Sequence, residues 1–130
     1  MVDTSAIYAL LDKSDANHND AVKLLKTIAI EKKDVILTNF IVAETHALIL
    51  IKLGNKLANY WLKNLCWHIE RVSEEDEEKA KDIINAYIDK TFSYTDALTF
   101  AVMTRMNTET AFTFDKHFTQ YGFKMYNILK

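Results

Sequence analysis

The sequence predicts an α/β fold, a three-layer α/β/α sandwich built around a parallel sheet. Short apolar runs alternate along the 130 residues with stretches of helical, 3.6-residue periodicity. Strands separated by helices require right-handed crossovers, and these leave a parallel sheet covered on both faces. There is no proline and only two glycines, Gly54 and Gly122, whereas an all-β sandwich or barrel draws on both residues for its many tight turns. With no linker, repeat or low-complexity tract, the expectation is a single domain over residues 1–130.

The strand candidates are Met1–Asp3, Val35–Leu37, Trp67–Val72, Ala111–Phe114 and Lys124–Ile128. Ala6, Ala9 and Leu10 open the first helical stretch. Ala21, Leu24, Leu25 and Ile28 define the second, with Lys23, Lys26, Lys32 and Lys33 on its wet side. The third, Phe40–Leu53, is apolar on nearly every side and predicts a buried helix. Gly54 closes it where a C-terminus favours a positive φ. Asn55–Leu65, Glu74–Asp89 and Tyr94–Met106 complete the set.

Composition excludes several classes of function. Two glycines cannot write a P-loop or a dinucleotide fingerprint. A single cysteine, Cys66, rules out an internal disulfide and paired-thiolate zinc sites. The four histidines show no i+3 or i+4 pairing, which argues further against zinc. Net charge is −2, so no global basic footprint announces nucleic acid, and any such role must be local. The start, MVDTSA, lacks the marks of a secretory leader, and the longest apolar stretch is about 14 residues against the roughly 20 of a spanning helix. The expectation is a cytoplasmic protein with no membrane association.

Ligands of open parallel sheets bind beyond the carboxyl ends of the strands, and acids stand there. Asp3 follows the first run; it fits an N-cap for the next helix as well as a functional carboxylate. Glu44 lies within the most apolar helix, with no capping-box partner at Ile41 and no basic residue three or four positions away, so a functional role is favoured. Asp96 completes the capping-box pattern of Ser93-Tyr94-Thr95-Asp96, which is compatible with ligation because the helix N-terminus keeps the carboxylate ionised. Asp115 follows an apolar run and also fits a turn residue. The acidic run Glu74–Glu78 follows Ser73 at a helix start and is assigned to capping.

If Asp3, Glu44, Asp96 and Asp115 converge, their mutual repulsion calls for a divalent cation. An all-oxygen shell selects Mg²⁺ or Mn²⁺, and such ions activate water and stabilise the leaving oxygen of a phosphodiester.

Four segments, VDTSA at the start, VAET before an aliphatic helix, SYTDALTFAVM and AFTFDKHFTQYGF, resemble the acidic motifs of PIN domains. The similarity is greatest to the small nucleases that serve as VapC-type toxins of toxin–antitoxin pairs. It implies a five-stranded parallel sheet, a metal-dependent endoribonuclease acting on RNA, frequent homodimers, and inhibition by a small antitoxin protein seated on the acidic site. Asp3, Glu44, Asp96 and Asp115 match the family's four acidic positions, and Ser5 and Thr113 match its supporting hydroxyl residues. Lys116 and His117 are candidate substrate contacts. Lys13, Lys52, Lys56, Arg105 and Lys116 could also line the approach of a substrate, with solvated surface the favoured assignment for each. One departure is the first strand, with only Met1 and Val2 ahead of Asp3.

Other readings remain in play. A receiver-type phosphorylation switch wants adjacent acids after the first strand, and Asp3-Thr4 does not supply them. A PIN-like binding or dimerisation module without turnover, and an RNA-processing PIN nuclease without an antitoxin, share the same motifs. Tyr60, Trp61, Leu65 and Trp67 exceed what one short helix readily buries and predict self-association.

Overall fold

The structure, a computed structural model, describes residues 1–127. In chain order the elements are α1 (Thr4–Leu11), α2 (His18–Ile30), β1 (Ile36–Thr38), α3 (Asn39–Leu53), α4 (Asn55–Lys63), β2 (His68–Glu70), α5 (Glu74–Ala86), α6 (Tyr94–Arg105), β3 (Thr110–Ala111), α7 (His117–Tyr121) and β4 (Lys124–Met125). All six helical stretches read from periodicity are present. The α7 helix is additional: its five residues are too short to carry a period.

Side chains set the helix starts. Asp3 caps α1, and Thr38 caps α3 by accepting the Ile41 amide at 3.0 Å. Ser73 and Ser93 each close a full capping box, with Asp76 and Asp96 reaching back to the cap amide. The acidic run 74–78 is thus partly consumed in starting α5. Gly54 ends α3 and begins α4 at φ 96°, a backbone state that only glycine adopts cheaply.

The strands pair in parallel, as the alternation requires, but as two short ladders. β1 lies against β2 (Ile36↔His68, Leu37↔Ile69, Thr38↔Glu70), and β3 against β4 (Thr110↔Lys124, Ala111↔Met125). The N-terminal run stitches them together. Val2 donates to the Ile36 carbonyl at 2.8 Å, Asp3 to Phe112 at 3.0 Å, and Phe112 returns a bond to Met1 at 2.8 Å. Because α1 begins at Thr4, this run forms one isolated bridge, Val2↔Phe112, rather than a strand. A continuous five-stranded ladder therefore does not appear among the described residues. Ile128 of the last run lies outside them.

The core centres on α6, where residues Ala97 to Met103 are all buried. Phe100 stacks on Tyr121 (4.7 Å between ring centroids) and meets Phe92 and Phe118 edge-on. Helix α3 corrects the expectation of burial on nearly every side. Only Ile41, Thr45 and Ile49, one face at i, i+4 and i+8, are buried. Ala43, Glu44, Ala47, Leu50 and Ile51 are exposed, because α1, α4 and α6 cover the other side.

Candidate active site

The four acids meet at the carboxyl ends of the strands, in an open cleft lined by Asp3, Thr4, Ser5, Glu44, Leu48, Thr91, Ser93, Asp96, Asp115 and His117. The bridge through Val2 delivers Asp3. The α3 helix after β1 delivers Glu44, the first turn of α6 delivers Asp96, and the turn after β3 delivers Asp115.

Asp3 is buried, 6% exposed; it is the N-cap of α1 and also lines the cleft. Its Oδ2 accepts the Ser5 hydroxyl at 2.9 Å, the Thr113 hydroxyl at 2.9 Å and the Ser5 amide at 3.4 Å. Burial raises its pKa from 3.8 to about 6. The hydrogen bonds from Ser5 and Thr113 work against that rise, and the Glu44 charge adds to it. Ser5 and Thr113 also reach Asp115: the Ser5 hydroxyl accepts the Phe114 amide at 2.9 Å, and the Thr113 hydroxyl accepts the Asp115 amide at 3.0 Å. Both hydroxyls thus connect Asp3 to the 114–115 backbone.

Glu44 is exposed, yet it has a partner the sequence does not disclose. Thr4 donates its hydroxyl to Glu44 Oε1 at 2.6 Å, and buried Thr45 donates to Thr4 at 3.0 Å. This relay spans 40 residues, beyond any local pattern. Thr4 stands beside Asp3 and Thr45 beside Glu44; adjacency to the acids was the one signal available.

Asp96, Asp115 and His117 offer ligand atoms all within 4.8 Å of one another. His117 Nδ1 lies 2.9 Å from Asp96 Oδ2 and 3.4 Å from Asp115 Oδ1, and its amide donates to Asp115 Oδ1 at 2.9 Å. Asp96 Oδ2 also accepts the Ser93 amide at 3.0 Å. Asp96 Oδ1, Asp115 Oδ2 and Glu44 Oε2 accept no hydrogen bond from the described residues. Each of these three acids is tethered by one oxygen and keeps the other for a ligand. Open carboxylate oxygens on acids that line one cleft suit a hard divalent cation, with Asp96 and Asp115 in the close cluster and Asp3 and Glu44 lining the cleft outside it. The imidazole modifies the expected all-oxygen surroundings.

The remaining candidates lie outside this constellation. Lys116, Lys13, Lys52 and Lys56 are exposed. Arg105 is not free surface. It pairs bidentately with buried Asp76 (3.0 Å to each oxygen) and reaches Glu70 at 3.1 Å. Trp61, Leu65 and Trp67 are half-buried against the core, leaving Tyr60 (66% exposed) and Leu62 (43%) as the protruding apolar residues of α4. Among the described residues, no helix is long and apolar enough to cross a membrane.

With the acids gathered in this order, the chain belongs to the PIN domain family, whose domain matches residues 1–124. It is similar to the 23S rRNA-specific endonuclease VapC20 of Mycobacterium tuberculosis. Identity is 30% over 126 residues, covering 94% of this chain and 93% of the relative, for the proteins of both strain CDC 1551 / Oshkosh and strain H37Rv. The crystal structure of M. tuberculosis VapC20, described as a Sarcin-Ricin loop cleaving toxin, matches with a TM-score of 0.82 and 28% identity over 94% of each chain.

Proposed function

We propose that this protein is a Mg²⁺- or Mn²⁺-dependent endoribonuclease that hydrolyses RNA phosphodiester bonds as the toxin of a toxin–antitoxin pair. The observation that carries this reading is the joint lining of one cleft by Asp3, Glu44, Asp96 and Asp115. The likeness to an rRNA-specific endonuclease over nearly the whole chain supports it, and makes 23S rRNA the first substrate to test.

Asp3, Glu44, Asp96 and Asp115 hold the cation in this reading. The chemistry a divalent ion supplies there is neutralisation of phosphodiester oxygens and acidification of an attacking water. The chain's own residues do the rest. Ser5 and Thr113 fix Asp3 and the 114–115 backbone as one unit. Thr4 orients Glu44. The exposed Lys116, next to Asp115, meets the RNA backbone at the rim. The net charge of −2 makes binding depend on this local site rather than on general phosphate neutralisation.

The finer architectural and cellular readings belong here too. The apolar runs act as one five-stranded parallel sheet between helical layers, the protein works in the cytoplasm as a homodimer, and a small antitoxin covers the acidic cleft.

The test incubates purified protein with ribosomal and other structured RNAs in Mg²⁺, in Mn²⁺ and in chelator, with Asp3→Asn alongside to exclude contaminating nuclease. Discrete cleavage that needs the cation and is lost in Asp3→Asn is the expected result. Cleavage that persists in chelator or in the variant refutes the proposal.

A further inference from the structure

His117 is the one imidazole lining the acidic cleft among the described residues. Protein partners engage the backbone amide and both ring nitrogens of the residue. The amide is given to Asp115 Oδ1, Nδ1 to Asp96 Oδ2, and Nε2 lies 3.1 Å from the Thr91 hydroxyl. A carboxylate only accepts, so Nδ1 carries the hydrogen. The ring also stands edge-on to buried Phe92 at 5.5 Å, and Phe92 stands edge-on to Phe100 at 5.1 Å. The imidazole is therefore clamped between the aromatic core and two acids, with neither nitrogen left for a phosphate.

We infer that His117 is a positioning residue that acts through Asp96, with Thr91 locking its ring, and that it is neither a substrate contact nor a cation ligand. Together with the Ser93 amide at 3.0 Å, Nδ1 occupies Asp96 Oδ2 and leaves Oδ1 without a hydrogen bond from the described residues. The His117 amide does the same for Asp115, whose Oδ2 stays open. One residue thus sets two carboxylates at once. Partners of this kind, one step behind the ligands, typically govern metal affinity by about 10- to 100-fold. Thr91 joins the site from the loop between α5 and α6, on which none of the four cleft acids stands.

The inference rests on the metal-site reading above, and its test separates the two. Mn²⁺ binding is titrated without RNA, following the free-ion paramagnetic resonance signal, for wild type, His117→Phe, His117→Asn and Thr91→Val. Phe keeps the ring against Phe92 and deletes both hydrogen bonds. Asn keeps a donor where Nδ1 sits and deletes the ring. Positioning predicts that His117→Phe weakens Mn²⁺ about 10- to 100-fold, that His117→Asn stays within about 3-fold, and that Thr91→Val weakens it about 2- to 5-fold. On RNA, His117→Phe lowers kcat and leaves KM unchanged. A purely structural role reverses the ranking, with Phe harmless and Asn damaging, and overturns the inference. Equal losses in Phe and Asn would make the imidazole a ligand and also overturn it, as would a rise in KM with Mn²⁺ affinity intact. Should His117→Phe not fold, Thr91→Val decides: unchanged Mn²⁺ affinity refutes the positioning role. Wild-type protein that binds no Mn²⁺ removes the metal-site reading itself.

Discussion

Thr113 donates its hydroxyl hydrogen to Asp3 Oδ2 at 2.9 Å, although 110 residues of chain separate the two. The same oxygen of Thr113 accepts the Asp115 amide at 3.0 Å. One small side chain therefore locks the first acid of the sequence to the last, at the seam where the N-terminal run joins the two ladders. Removing the γ-oxygen while keeping the shape isolates its contribution. Thr113→Val leaves the Asp115 amide unpaired and should cost about 1–3 kcal/mol of stability, together with a loss of cleavage rate; chemical denaturation and RNA cleavage check the two effects separately.

Asp3→Asn and Asp115→Asn should each lower RNA cleavage by at least about 100-fold, because each removes a charge from electrostatic stabilisation of the reaction. Both changes are nearly isosteric, so circular dichroism should report an intact fold. Full activity in either folded variant would remove the nuclease reading.

Stability should depend on pH through Asp3. Its pKa is raised from 3.8 to about 6 in the folded protein, so between those values the folded chain binds more protons than the unfolded one. The Asp3 contribution to stability is therefore present at low pH and is lost as pH rises through about 6. A gap of about 2 units caps the effect at roughly 3 kcal/mol. Asp3→Asn carries no such charge, so without metal its stability advantage over wild type should grow from pH 5 to pH 7.5. Denaturation curves with a constant or shrinking difference would contradict the assignment.

The Arg105–Asp76 pair ties the end of α6 to the start of α5. Arg105→Leu leaves Asp76, 3% exposed, without its cationic partner. A loss of about 1–3 kcal/mol is expected, read as a Tm drop of roughly 4–12 °C, with Mn²⁺ affinity unchanged. A weakened Mn²⁺ titration would place Arg105 in the site's circuit instead.

Much of this architecture is legible in the sequence because its signals are local. The capping boxes at Ser73 and Ser93 lie within four residues, and the periods that predict α1 to α6 lie within a few turns. The site is legible only as positions. Asp3, Glu44, Asp96 and Asp115 are nameable as positions, but burial of Asp3 and exposure of Glu44 depend on what covers them, and the helix around Glu44, apolar on nearly every side in sequence, buries one face only. The hydroxyls of Thr4, Thr45 and Thr91, and the pairing of Arg105 with Asp76 over 29 residues, are tertiary matters with no sequence period. Four of the five apolar runs overlap a paired strand but differ from it at one or both ends, and the run Met1–Asp3 makes only the Val2↔Phe112 bridge.

The central claim, that the four carboxylates lining one cleft form a divalent-metal site, is tested most directly by Mn²⁺-dependent thermal unfolding of wild type beside Glu44→Gln. Binding only to the folded state adds RT ln(1 + [L]/Kd), about 2.7 kcal/mol at 100 times Kd, which for a domain of this size is a Tm rise on the order of 5–15 °C. Glu44→Gln should leave the metal-free Tm unchanged or higher, because a repelling charge disappears while Thr4 keeps an acceptor, and the Mn²⁺-induced rise should shrink. A Glu44→Gln protein whose Mn²⁺ titration superimposes on that of wild type would contradict the shared site.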